Sequence, residues 1–186
     1  MQKLFSQEIR FKQDGGSTFP DWKAKELAQV IEPVVRQVDK PTQKYLSIGV
    51  RSHMKGTFQR PETEPEKVAM DTLFIVKSGD LVVNITFAWE GAIAIVRPED
   101  DGGYVSHRFP SYLFKEGLLR DYFRYVIELL RFKNKLELIS PGGAGRNRVL
   151  NKKDFLKLKW NFPHPEEQQK IADLLSAIDQ KIELVQ

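Results

Sequence analysis

Two rhythms of apolar and polar positions divide the chain. From about residue 45 to 114, apolar side chains come in short β-branched and aromatic runs: YLSIGV (45–50), TLFIVK (72–77), DLVVNITF (80–87), AIAIVR (92–97) and YVSHRF (104–109). Gly, Pro, Asp and charge clusters separate them, which is the punctuation of strands. One separator, RPETEPEKVAMD (60–71), holds two prolines and four acids and reads as an exposed loop. From 116 to 136 the period lengthens: Leu119, Tyr122, Phe123, Val126, Leu129, Leu130 and Phe132 recur at threes and fours, predicting one helix. LKLKWNF (156–162) returns to period two, with Leu156, Leu158, Trp160 and Phe162 on one face of a strand.

The ends of the chain read as helix. Met1, Leu4, Phe5 and Ile9 share one face of a short amphipathic stub, and DGGSTFPDW (14–22) breaks it with turn residues. WKAKELAQVIEPVVR (22–36) predicts a brief helix that Pro33 ends. At the other end, Pro163 and Pro165 stop the strand, and Pro165 with Glu166 and Glu167 suits the first turn of a new helix. Along it Ile171, Leu175, Ile178, Ile182 and Val185 are spaced four, three, four and three, a heptad seam that needs a second helix. The seam is expected to point away from the rest of the chain. The fold class expected is α+β: short strands with a packed helix, plus a protruding coiled-coil-forming helix.

Composition narrows the class. Of the 186 residues, 41% are apolar and 29% charged, ordinary values for a chain with a packed core rather than a disordered one. There is no cysteine, so neither a disulfide framework nor a thiolate metal site is available. The N-terminus lacks an apolar signal core, and the most apolar stretch is interrupted by Asn84, Thr86, Glu90 and Gly91. A soluble, cytoplasmic chain is the expectation. The net charge of +4 is unevenly placed. Residues 140–160 carry six basic side chains against one acid, whereas 161–186 carry two against five. The first segment suits phosphate and the second does not.

The usual signatures of catalysis are missing. The sequence contains no P-loop, no adjacent prolines such as an amino-methyltransferase motif requires, and no Glu-x-Lys triplet of the common metal-dependent nuclease core. His53, His107 and His164 stand apart, without the spacing of a zinc site. Gly142, Gly143 and Gly145 beside Arg146 and Arg148 can serve as a helix end, as an anion-binding nest of backbone N–H groups, or both.

The closing string WNFPHPEEQQKIADLLSAIDQKIEL resembles the end of a target recognition domain of a type I restriction-modification specificity subunit, where a P-x-x-x-EQ-x-x-I-x-x-x-L-x-x-x-D run launches a long spacer helix. Here those positions are Pro163, Glu167, Gln168, Ile171, Leu175 and Asp179. LFSQEIRFK followed by FPDWKAKELAQV is similar to the entry into such a domain, KSGDLVVNITFAWEGAIAIV to its "GD-apolar" strand pair, and SPGGAGRNRVLNKKDFLKLKW to its Gly-rich and basic close. The resemblance implies a curved sheet and three segments: 1–13, stub of one spacer helix; 14–163, target recognition domain; 164–186, start of the next spacer helix. Members of this family usually carry two such domains, so the chain looks like a half-subunit or a fragment. The partner for its seam is expected to be a second spacer helix, from another half-subunit in a homodimer or from chain not present here.

The function implied is a non-catalytic, sequence-specific DNA-binding specificity subunit. It would direct an adenine-N6 methyltransferase and an ATP-dependent endonuclease to a split target in double-stranded DNA, with S-adenosylmethionine, ATP and magnesium carried by the modification and restriction subunits. Candidate DNA contacts are polar and basic loop residues, since base edges require donors and acceptors and phosphates require cations. They are Arg51, His53 and Lys55; Asn84, Thr86 and Trp89; His107 and Arg108; and Arg146, Asn147, Arg148, Lys152 and Lys153. Trp22 and Trp160 read as core. Competing readings are a target recognition domain in a fused restriction-methylation protein, a helical-arm adaptor that does not bind DNA, and, last, a free-standing enzyme.

Overall fold

Leu81, Val82 and Val83 form a strand with no exposed side chain, and the fold is arranged around it. In the computed structural model, which describes residues 1–142 and 148–184, this strand, β7, belongs to a four-stranded sheet. In chain order the elements are α1 (Gln2–Phe5), β1 (Lys23–Glu26), β2 (Ile31–Val34), β3 (Gln37–Asp39), β4 (Tyr45–Val50), β5 (Thr57–Thr63), β6 (Thr72–Ile75), β7 (Leu81–Val83), β8 (Ile93–Ile95), β9 (Tyr104–Val105), β10 (Ser111–Phe114), α2 (Arg120–Ile127), α3 (Leu130–Leu138), α4 (Lys152–Lys157), β11 (Lys159–Phe162) and α5 (Pro165–Glu183). The sheets run β2-β10-β7-β8, β3-β6-β9-β4-β5 and β1-β11. All pairings are antiparallel except β4 with β9.

Because strand side chains alternate, β7 feeds two cores. Val82 joins Ile48, Val50, Val76, Ala94 and Val105 in a core shared by the four- and five-stranded sheets. Leu81 and Val83 face the larger core, which the helices close. Phe123 lies near its centre, edge-on to Phe114 and Phe132 with ring centroids 5.7 Å apart in both cases. Each such ring contributes about 1.5–3 kcal/mol through burial alone. Trp160 is in this core, as expected; Trp22 is partly buried against it.

The α+β class holds, while several local expectations do not. Residues 22–36 form β1, a 3-10 turn at Leu27–Gln29 and β2 instead of a helix. Pro33 sits in β2, an edge strand whose outer side needs no N–H donor. The partners of β1 and β2 are β11 and β10, far along the chain, so local pattern carries no trace of the pairing. The expected loop at 60–71 begins as strand: β5 runs through Pro61 at the edge of the five-stranded sheet. The stub at the start is helical only over Gln2–Phe5, and Ile9 is exposed.

The expected helix over 116–136 is two helices. Leu129 takes an extended conformation (φ −75°, ψ 131°) between α2 and α3. α2 packs on α5, whereas α3 packs under the turn at Ala88–Glu90, so the two need different directions. Leu156 also changes element. Asn151 accepts hydrogen bonds from the Lys153 and Asp154 amides and starts α4, leaving only Lys159–Phe162 as strand.

Helix α5 begins at Pro165 as the sequence predicts, but its seam does not simply point away. Ile171, Ala172 and Leu175 are buried in the main core, while Ile178 and Ile182 are exposed at 43% and 52%. Val185 lies outside the described residues. Leu4 and Phe5 enter the same core.

Candidate nucleic-acid interface

The connection from β7 to β8, residues 84–92, is the point to which the candidate loops attach. The Asn84 side chain accepts from the Thr86 amide, an Asx turn that starts the bend. A 3-10 turn at Ala88–Glu90 and Gly91, at φ 83°, complete it. Its backbone is then used from three sides. Ile85 donates to Arg108 O, Leu150 donates to Ile85 O, and His53 and Met54 donate to Glu90 O and Gly91 O at 2.8 and 3.0 Å.

Side chains repeat the pattern. Arg108 donates to Thr86 Oγ1 at 3.1 Å, and Arg148 lies 5.4 Å from the centroid of the Trp89 ring. Trp89 donates from its indole to Thr86 O, which fixes the ring that Arg148 covers. Ser52 donates to Glu90 Oε2 at 2.6 Å. Thus the β4–β5 loop (51–56), the β9–β10 loop (106–110) and residues 148–150 are all registered on one turn, although about a hundred residues separate the first from the last.

Within this arrangement the predicted residues divide. Arg51, Lys55, Arg108, Lys152 and Lys153 are exposed and, among the described residues, form no ion pair. His107 and Lys152 line one cleft of about 220 Å³ with Phe74, Phe109 and Leu156. Lys55 lines a different cleft, beside Arg97, Arg120 and Arg124. Arg148 is partly committed, because Glu137 accepts from it at 2.9 Å. Arg146, Asn147, and the glycines at 143 and 145 lie outside the described residues.

Sequence reading missed Arg60, Phe58, Ser52 and Glu90. The guanidinium carbons of Arg51 and Arg60 each stand 5.1 Å from the Phe58 ring centroid. Phe58 faces Gly49 across the β4–β5 pair, and a Cβ at Gly49 would strike that ring. The cross-strand pairing shows only in register, so local pattern had no signal for it. Beneath this hairpin Thr57 and Arg97 both bond the fully buried Asp100. Burial drives the Asp100 carboxyl upward, but the bonds from Arg97 and Thr57 outweigh it and hold the group below the usual carboxylate range.

The root of α5 is locked by the EQ pair. Glu167 is fully buried and accepts from Arg10 at 3.1 and 2.8 Å and from the Trp22 indole at 3.1 Å. Gln168, also buried, accepts from the Leu119 amide and donates to Gly117 O and Pro163 O. One helical stretch later, Asp179 accepts from Tyr125 Oη at 2.8 Å and from Arg124 at 3.0 Å. Burial and that bond to Asp179 push the Tyr125 hydroxyl up to about 12. Among the described residues there is no cluster of three or more acidic or histidine groups able to hold a metal ion, and no helix long and apolar enough to cross a membrane.

Residues 20–186 match the family described as type I restriction modification DNA specificity domain. Three solved structures share the fold. The HsdS subunit from Thermoanaerobacter tengcongensis is 19% identical at a TM-score of 0.67, over 89% of this chain and 44% of that one. A chain from a structure on complex assembly and conformational transition of the type I R-M system is 18% identical at 0.67, over 89% and 44%. The type I restriction-modification S subunit from M. genitalium is 13% identical at 0.62, over 95% and 42%. The chain therefore spans less than half the length of these solved chains. No curated protein matches the sequence.

Proposed function

The chain belongs to the type I restriction modification DNA specificity domain family, and from that premise we propose that it reads DNA sequence on behalf of a methyltransferase and an endonuclease without catalysing either reaction. The observation that carries this reading is the convergence of three loops on the turn at residues 84–92. It places Arg108 and Arg148 on a common support with the loop that bears Arg51, His53 and Lys55. Loops fixed to a rigid sheet suit base readout, and exposed lysines around them suit phosphate. Lys152 and Lys153 are the phosphate candidates, and Asn84, whose amide nitrogen makes no bond within the described chain, is a candidate for adenine.

The modification subunit would bring S-adenosylmethionine and transfer methyl to adenine N6 after flipping that base. The restriction subunit would bring ATP and magnesium. Leu174, Ile178 and Ile182, exposed along α5, would receive a second helix. Where that helix comes from another copy, the two readers are identical and the target is a split palindrome.

Sequencing of methylated bases in cells that express this chain with a modification subunit tests the reading. A new N6-methyladenine motif, split and palindromic, is the expected result. If no motif appears while a matched two-domain specificity subunit gives one in the same cells, the reading fails.

A further inference from the structure

We propose that Glu90 is the positioning residue of the DNA-reading surface, holding the β4–β5 loop in the shape that lets it discriminate between base sequences. This rests on the DNA-reading function proposed above and deepens it.

His53 and Met54 have φ of 61° and 56°, two successive side-chain-bearing residues in the left-handed region. Such a pair persists only where its surroundings hold it, and strain of this kind gathers at binding sites. Within the hairpin, Arg51 closes the loop by donating from its amide to Gly56 O and from its guanidinium to Thr57 O; three more bonds tie the loop to the turn. Ser52 Oγ donates to the Glu90 carboxylate at 2.6 Å, and the next two amides donate to the carbonyls of Glu90 and Gly91. Gly91 has no Cβ, and one added there would strike Met54 Sδ. The loop is therefore seated on residues 90–91 by one side chain and two backbone bonds.

The charge of Glu90 adds a second argument. Among the described residues it forms no ion pair, although Arg51, His53 and Lys55 belong to the loop it holds. A carboxylate on a surface meant for phosphate opposes approach of the backbone. On this proposal its contribution comes from the geometry it fixes rather than from accepting a cytosine amino group, and its removal separates sequence discrimination from general affinity.

The test uses Glu90→Ala, Glu90→Gln, Ser52→Ala and the Ser52→Ala/Glu90→Ala pair. Binding is measured to a duplex carrying the motif found by methylation sequencing and to a scrambled duplex of equal length. Amide hydrogen exchange at His53 and Met54 is followed in the absence of DNA. Glu90→Ala and Ser52→Ala are each expected to lower the ratio of specific to scrambled affinity about tenfold, with scrambled binding unchanged or tighter. The pair should lose no more than either single change, because both remove one bond. Glu90→Gln, whose amide oxygen still accepts from Ser52, should restore most of the ratio, and exchange at His53 and Met54 should quicken only in the alanine variants.

A ratio unchanged in Glu90→Ala overturns the proposal while leaving the DNA-reading function intact. So does a Glu90→Gln as poor as Glu90→Ala beside a harmless Ser52→Ala, which would make Glu90 a direct reader of a base. Unaltered exchange in both alanine variants overturns the clamp itself. A wild-type chain with no preferred sequence overturns the DNA-reading function, and this proposal with it.

Discussion

Single side chains at the root of α5 carry more than their type suggests. Glu167 is an acid in the first turn of a helix, where macrodipole attraction alone would be worth a few tenths of a kcal/mol to about 1 kcal/mol. Buried against Arg10 and Trp22, it does something larger. Glu167→Ala leaves the Trp22 indole N–H without a partner and takes two bonds from Arg10, which keeps Pro20 O and Asp21; it is expected to cost about 2 kcal/mol, read from the urea midpoint. Glu166→Ala, one residue away and exposed, should change the midpoint little. At the candidate interface, Lys152→Ala and Lys153→Ala should each lower the slope of log affinity against log salt by about 1, for specific and scrambled DNA alike. An unchanged slope would remove those lysines from the phosphate contacts.

At the scale of elements, α5 is one helix with two duties. Its first half completes the core through Ile171, Ala172 and Leu175; its second half exposes Ile178 and Ile182. Asp179, held by Tyr125 and Arg124, marks where the helix leaves α2. Leu175→Asp should therefore destabilise the fold by about 4 kcal/mol or more through an unpaired buried charge. Ile178→Asp should leave the thermal midpoint within a few degrees and weaken helix pairing instead, seen as a lower mass by sedimentation. If both variants behave alike, the division of the seam is wrong. α2 and α3 teach a related lesson: an uninterrupted helical period became two helices, because the apolar stripe had two supports to meet.

For the whole molecule, Asp100 contributes to the response to pH. Asp100 is held below its ordinary range in the folded state, so the stability it provides is present above the unfolded carboxylate value, about 4. That stability is lost as pH falls through the lower folded value. Asp100→Asn should lower stability near neutrality and flatten the acid limb of the stability curve between about pH 5 and 2. A mutant curve parallel to wild type would show that Arg97 and Thr57 do not act through the charge. The same network ties the β4–β5 hairpin to the turn at Pro98–Asp100, so the candidate interface and the five-stranded sheet share a foundation.

Sequence alone determined whatever depends on neighbours along the chain. The strands at 45–50, 72–75 and 81–83 follow from β-branched runs, and α5 follows from Pro165 and the heptad spacing. The family was readable because Pro163, just ahead of α5, and Glu167, Gln168, Ile171, Leu175 and Asp179 along it keep fixed intervals. Tertiary structure alone decided whatever depends on partners far away. β1 and β2 are strands because β11 and β10 lie alongside them, and Ile171 and Leu175 are core because α2 and the sheet reach them. The candidate interface divides in the same way. Its basic residues were visible as charge in loops, whereas Glu90, Ser52 and Phe58 acquire their roles only from contacts across the fold. Composition registers which charges a chain owns; the hydrogen bonds that fix a loop's shape exist only once distant backbone has been brought to it.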